Sequence, residues 1–179
     1  MVFGDSLSAG YGLPQNTGWV SLLEQKLEQQ KLNYKVVNAS ISGETTAGGL
    51  YRIEQALAIH KPTIAIIELG ANDGLRGLSL MATQSNLEGI VQTCKKHKAK
   101  ILIIGMRLPP NYGRAYAEKF QNIFVKVAQH SKSPLVPFLL DGFAEQRELF
   151  QSDGFHPNSE AQPLILKNVW EKLQPMLAK

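Results

Sequence analysis

Ser6 lies in "FGDSLSAG", where a glycine, an aspartate and two serines follow closely on an apolar start. A serine so placed can cap a helix, or it can attack an acyl carbon if a base takes its proton. Taken alone, the segment supports both readings equally. Attack by a hydroxyl also needs a group to orient the base and donors for the oxyanion that develops. Four histidines are available as the base, and the choice among them depends on the elements that carry them.

Short aliphatic or β-branched runs at 2–3, 35–39, 63–69, 100–108 and 135–140 are bounded by Gly, Pro or polar residues and predict strands. Between them lie helical patterns. Trp19, Leu22, Leu23 and Leu27 form one apolar stripe, and similar stripes occupy 46–59, 81–96, 114–129 and 159–177. Five alternations of strand and helix predict an α/β chain with a parallel, doubly wound sheet and right-handed crossovers. In such a sheet ligands bind at the carboxyl ends of the strands, so chemistry belongs just after a strand and not just before one.

This rule sorts the histidines. His60, His97 and His130 each close a helix just before a strand, where a histidine complements the negative end of the helix dipole. His156, in "SDGFHPN", follows the last strand, and only it can reach the carboxyl edge; Pro157 disfavours helical geometry at His156, so the ring is presented from a loop or turn. Asp153, three residues earlier, can place its carboxylate on Nδ1 and leave Nε2 to face Ser6, although "DGFH" alone reads equally as a capped turn.

Oxyanion donors are expected from the second and third strand ends. Gly43, in "NASISGET", lacks a side chain that would keep its N–H from a substrate. Asn72, in "ELGANDGLRG", carries an amide directly after a strand. Alone, the first is an ordinary loop glycine and the second an Asx-turn. Together with Ser6 N–H they would converge on one point.

The totals exclude several classes. The chain has 179 residues, 44% of them hydrophobic and 19% charged, which predicts one domain over 1–179 that buries roughly 70% of its unfolded surface. No run approaches a membrane span or a secretory core. The net charge of +4 includes a cluster at Lys95, Lys96, Lys98 and Lys100, but this falls at a helix end before a strand and complements the dipole there, so no nucleic-acid partner is expected. The single cysteine, Cys94, excludes an internal disulfide and a cysteine-rich metal site, and reads as a partly buried helix residue. No phosphate-binding glycine loop follows any strand, which weighs against a nucleotide or flavin module.

"GDSLS", Gly43 in "SISGE", "GAND" and "DGFHPN" resemble the four blocks of the GDSL, or SGNH, hydrolase family, in its order and spacing. "NASISGET", "ELGANDGLRG", "RLPPNYGRAY" and "HPNSEAQP" are similar, more narrowly, to its bacterial thioesterase I, protease I and lysophospholipase (arylesterase-like) group. The resemblance covers essentially the whole chain. It implies a three-layer, flavodoxin-like fold with a five-stranded parallel sheet in the order 2-1-3-4-5. It also implies a serine esterase using neither metal nor cofactor on acyl esters, thioesters and lysophospholipids, with Ser6, Asp153 and His156 catalytic and Ser6, Gly43 and Asn72 forming the oxyanion hole. A periplasmic or secreted location is a further implication. The family's first strand is usually longer than "MVF" supplies. Leu75, Leu78, Leu108, Pro109, Tyr112 and Phe155 follow strand ends and could line an apolar acyl groove. A polar groove would instead give a carbohydrate O-acetylesterase. A monomer without a membrane anchor is the default expectation.

Overall fold

The computed structural model describes residues 1–177. Four strands, β1 (Val2–Gly4), β2 (Ile64–Glu68), β3 (Lys100–Ile104) and β4 (Leu135–Val136), form a sheet in the order β1-β2-β3-β4 with every neighbouring pair parallel. The expected fifth strand over 35–39 is present only as a fragment outside β1. Val2 N–H donates to the Val37 carbonyl and Ala39 N–H to the Val2 carbonyl, both at 2.8 Å, and Ile41 N–H donates to the Gly4 carbonyl at 3.0 Å. These contacts make one parallel bridge, between Val2 and Asn38. The Ala39 carbonyl that would continue the ladder accepts from Arg52 Nη1 at 2.7 Å instead. With that segment included, the spatial order is the expected 2-1-3-4-5, and three-residue β1 sits inside the sheet with neighbours on both sides.

The sheet is buried on both faces, which is why β2 reads as a nearly unbroken apolar run, "IAIIE". The helices are α1 (Ser6–Ala9), α2 (Trp19–Gln29), α3 (Thr46–His60), α4 (Ala71–Leu75), α5 (Leu80–Lys96), α6 (Arg114–Ser131) and α7 (Gln162–Leu173). One layer is α3, α5 and α6 packed side by side; α2 packs on α7 in the other. Phe3, Trp19, Leu57, Leu102, Phe120 and Phe124 are fully buried between the layers, each contributing about 1.5–3 kcal/mol. Trp19 N–H donates to Gln162 Oε1 at 3.0 Å, which joins the start of α2 to the start of α7.

Prolines explain where expected elements are cut short. β4 stops at Val136 because Pro137 has no N–H to give to a ladder. The helix expected over 159–177 is divided into a 3₁₀ turn, Ser159–Ala161, then α7, then a second turn, Gln174–Met176, that carries Pro175. β3 ends at Ile104, and Gly105 then packs so close to the next chain that a Cβ would lie 2.5 Å from the Pro137 carbonyl. Both strand ends release their chains into the loops that line the site.

The amino edge holds the set-aside residues. His60 is the last residue of α3, His97 caps α5 and His130 lies in the last turn of α6. His97 Nε2 lies 2.8 Å from Glu54 Oε1, and His130 Nδ1 lies 3.4 Å from Glu88 Oε1, surface pairs that stabilise little. No helix among the described residues is long and apolar enough to cross a membrane. Cys94 is fully buried, not partly as expected, because it falls on the inward stripe of α5; burial pushes its thiol up to about 12. Ellman's reagent is therefore expected to find almost no thiol in the native protein and one per chain in denaturant; rapid reaction of the native protein would contradict this burial.

Candidate active site

The site begins where β1 runs out. Gly4 ends the strand, and Asp5 caps the single turn of α1, its Oδ1 accepting from Leu7 N–H at 3.0 Å. Ser6 is the first residue of that turn, and Gly10, in a left-handed conformation, ends it. The helix cap and the exposed hydroxyl are thus different residues: Asp5 caps, which leaves Ser6 Oγ free to face the cleft. Gly4 is required by close approach, since a Cβ there would lie 2.6 Å from Glu68 Oε2 and 2.9 Å from Ser8 Oγ.

His156 is presented by a tight loop built through Asp153. Asp153 Oδ1 accepts from Phe155 N–H at 2.9 Å and from His156 N–H at 3.0 Å, so the carboxylate folds the turn that carries the ring. Its Oδ2 lies 2.7 Å from His156 Nδ1, and His156 Nε2 lies 2.8 Å from Ser6 Oγ. With the proton on Nδ1, Nε2 accepts from the serine hydroxyl. Partial burial pushes the Asp153 carboxyl up, but the two N–H donors and the imidazole outweigh it and hold the group down at about 2. Asp153 is therefore ionised at neutral pH.

Three contacts of this loop lie outside any reading of motifs. Gln151 Nε2 donates to the Tyr11 carbonyl at 2.9 Å and to the Pro157 carbonyl at 3.2 Å, so it ties the histidine loop to the segment after α1. The Tyr11 ring lies against His156, with centroids 4.6 Å apart. Gln151 gave no signal in the sequence, because its partners are backbone carbonyls 140 and 6 positions away.

The expected oxyanion donors occupy the rim. Gly43 takes a positive φ of 80° in the loop before α3, a conformation that favours glycine. Asn72 lies in α4, directly after β2, and its Nδ2 donates to Asp5 Oδ2 at 3.2 Å and to the Glu44 carbonyl at 3.0 Å. Arg76 spans the two, its Nη2 reaching the Gly43 carbonyl at 3.1 Å and Asn72 Oδ1 at 3.4 Å. Two acceptors at the nitrogen and one donor at the oxygen fix which way the Asn72 amide faces.

Under the rim lie two buried carboxyls. Burial pushes Asp5 up to about 6 despite the hydrogen bond from Leu7 N–H, the charge of His156 and the bond from Asn72. Glu68, wholly buried, is pushed well above the usual carboxylate range by burial and then by repulsion from Asp5. The signal for Glu68 was present in the sequence, as the one acid in an otherwise apolar strand.

A cleft of about 680 Å³ opens beside the serine. Ser6, Asn72 and His156 line it, together with Leu75, Leu108, Pro109, Tyr112 and Phe155 of the expected groove. Leu78 does not: Gly77, with φ +64°, turns the chain so that Leu78 lies 41% exposed beyond the cleft. Gly43 stands outside the lining, and Asp153 stands behind His156. Met106, Phe138, Leu140 and Phe150 extend the apolar wall; the first three come from the strand extensions cut short by Gly105 and Pro137, and Phe150 from the turn that follows Arg147–Leu149. Tyr112 OH donates to the Leu75 carbonyl at 3.1 Å and braces the two sides. Arg107 lies over the Phe138 ring, 4.9 Å from its centroid.

The arrangement can pass a proton from Ser6 to His156 beside an apolar cleft, and similar proteins carry the matching names. Residues 2–163 match the model of the GDSL-like lipase/acylhydrolase family. This chain belongs to that family. It is 48% identical to Esterase TesA of Pseudomonas aeruginosa over 99% of this chain and 88% of that one. It is 41% identical to the Escherichia coli protein named thioesterase 1/protease 1/lysophospholipase L1, over 99% of this chain and 84% of that one. The crystal structure of TesA superposes with a TM-score of 0.96, covering 98% of both chains at 48% identity. The family hydrolyses esters, and the chain is an α/β serine hydrolase of that kind.

The close approach at Gly4 gives a test of the local packing. Gly4→Ala is expected to lower the melting temperature by several degrees and to cut esterase activity at least tenfold, because the new Cβ pushes Glu68 and Ser8 apart beneath the serine. A variant with wild-type melting and turnover would refute that packing.

Proposed function

We propose that Ser6 is the nucleophile of an acyl-enzyme mechanism, with His156 as general base and acid and Asp153 as the group that orients it. The observation that carries this is the continuous line from Asp153 Oδ2 through the imidazole to Ser6 Oγ, with steps of 2.7 and 2.8 Å, within hydrogen-bond reach for proton transfer. Ser6 attacks the acyl carbonyl while Nε2 takes its proton, and the imidazolium returns that proton to the leaving alcohol or thiol. Water, deprotonated by the same nitrogen, then releases the acid. Ser6 N–H, Gly43 N–H and the Asn72 amide are the donors to the oxyanion, and Asn72 gives up or shares one of its present bonds when it serves there. Removing one such donor costs about 3 kcal/mol in the transition state.

The substrate class follows from the cleft. Leu75, Leu108, Pro109, Tyr112 and Phe155 offer an acyl chain an apolar wall beside the nucleophile, which supports acyl esters, thioesters and lysophospholipids over acetylated sugars. The relatives' names support the same choice. The reading extends to a single hydrolase domain over 1–179 acting on small acyl substrates, with a monomer as the default; a periplasmic or secreted location rests on the family resemblance.

Ser6→Ala and His156→Ala, each folded, should lose nearly all turnover of a short p-nitrophenyl ester, and a fluorophosphonate should label Ser6. Near-normal turnover, or a label on Ser8, Ser40 or Ser42, would overturn the assignment. Asp153→Asn should retain the turn, since an amide oxygen can still accept from the two N–H groups, yet lower kcat by roughly 10³- to 10⁴-fold through loss of the anion and of the correct imidazole tautomer. Because Asp153 is held down at about 2, the acid-side loss of activity should not follow its protonation. A panel of long-chain acyl thioesters, lysophospholipids and acetylated sugars should favour the first two; preference for the sugars would support the O-acetylesterase.

A further inference from the structure

The mechanism so far leaves Glu68 without a task. It closes β2 with no exposed surface, and its Oε2 accepts from Ser8 Oγ at 2.7 Å and from Asp5 N–H at 3.3 Å. Oε1 is buried and meets no donor among the described residues. Glu68 lies against Asp5, and burial together with repulsion from Asp5 pushes its carboxyl well above the usual range; two carboxyls buried side by side with no cation between them cannot both be ionised, so one of them carries a proton. Among the described residues no lysine or arginine pairs with either group. The charged group that acts on the pair from another element is His156, which faces Asp5.

The position of that one proton matters to the rim. Asp5 makes two demands of an anion: it accepts from Leu7 N–H to cap α1, and it accepts from Asn72 Nδ2. Glu68 makes no such demand through Oε1. We propose that Glu68 is a positioning residue of the hydrolytic site: it holds the one proton of the pair, so that Asp5 remains an acceptor and keeps the nitrogen of the Asn72 amide on the nucleophile's side. If the proton moved to Asp5, its hydroxyl would attract Asn72 Oδ1 and present a carbonyl oxygen to the developing oxyanion. The inference rests on Asn72 as an oxyanion donor, the reading given above.

A buried carboxyl that is protonated when folded and ionised when unfolded makes folding take up a proton, so stability falls as pH rises above the unfolded value. Glu68→Gln supplies a neutral donor of the same shape, and Glu68→Leu supplies the volume without the donor. The glutamine variant should keep kcat within about threefold and lose one proton's worth of pH dependence in urea unfolding between pH 5 and 8, relative to wild type. The leucine variant should keep KM and lose kcat by roughly ten- to a hundredfold, with Ser6 still labelled by fluorophosphonate but more slowly. Wild-type kcat in folded Glu68→Leu would overturn the proposal, as would parallel pH dependence of stability in wild type and Glu68→Gln. The second comparison decides the matter if the leucine variant does not fold. Labelling at wild-type rate on Ser6 in Glu68→Leu would sink the role of Glu68 alone, whereas labelling elsewhere would sink the role of Ser6.

Discussion

The contact between Ser6 Oγ and His156 Nε2 joins residues 150 positions apart, and the rest of the molecule is arranged so that a gap of 2.8 Å can be held across that separation. Neither residue sits on a long element. Ser6 begins a four-residue helix, and His156 sits in a loop with no regular structure. Their rigidity is borrowed. On one side, β1 lies between β2 and the 37–41 segment and carries Ser6 out at a fixed height. On the other, Asp153 folds the loop through two backbone N–H groups before its remaining oxygen meets the ring, so one carboxylate sets both the position and the tautomer of the histidine. Gln151 then fastens that loop to the Tyr11 segment just past α1, so both partners are referred to the same short helix.

Burying polar groups beside Ser6 works against stability, and the structure shows how that cost is contained. Two carboxyls beneath one serine would repel strongly if both were ionised. Ser8 and the Asp5 N–H satisfy one oxygen of Glu68, and Leu7 and Asn72 satisfy Asp5, so the pair needs only a single negative charge. The glycine of the opening motif has the same origin: a side chain on Gly4 would occupy the space that the Glu68 carboxyl and Ser8 hydroxyl use. The motif thus encodes a packing requirement as well as the proposed nucleophile.

Much of the site was legible because parallel α/β topology ties sequence position to the edge of the sheet. Residues after a strand and residues before one lie at opposite ends, and this alone separated His156 from His60, His97 and His130. The fold class was readable for a related reason, since β2 and the long helices carry strong periodic patterns. The groove was less so. Leu75, Leu108, Pro109, Tyr112 and Phe155 line the cleft as expected, but Leu78 turns away at Gly77, and Met106, Phe138, Leu140 and Phe150 enter from segments that had read as strand or passed without notice. The fifth strand failed for a reason no local pattern carries: an arginine eight residues on from Glu44 takes the carbonyl that the ladder needed.

By itself, the sequence determined which residue types stand at the carboxyl edge, because strand and helix periodicity and their order are properties of neighbouring residues. Tertiary structure decided what those residues do to one another. Asp5 rather than Ser6 caps α1, Glu68 lies against Asp5 and Ser8 on either side of the serine, and the Asn72 nitrogen is held by Asp5 and the Glu44 carbonyl. These depend on distances between segments dozens of residues apart, and such distances exist only once the layers have packed.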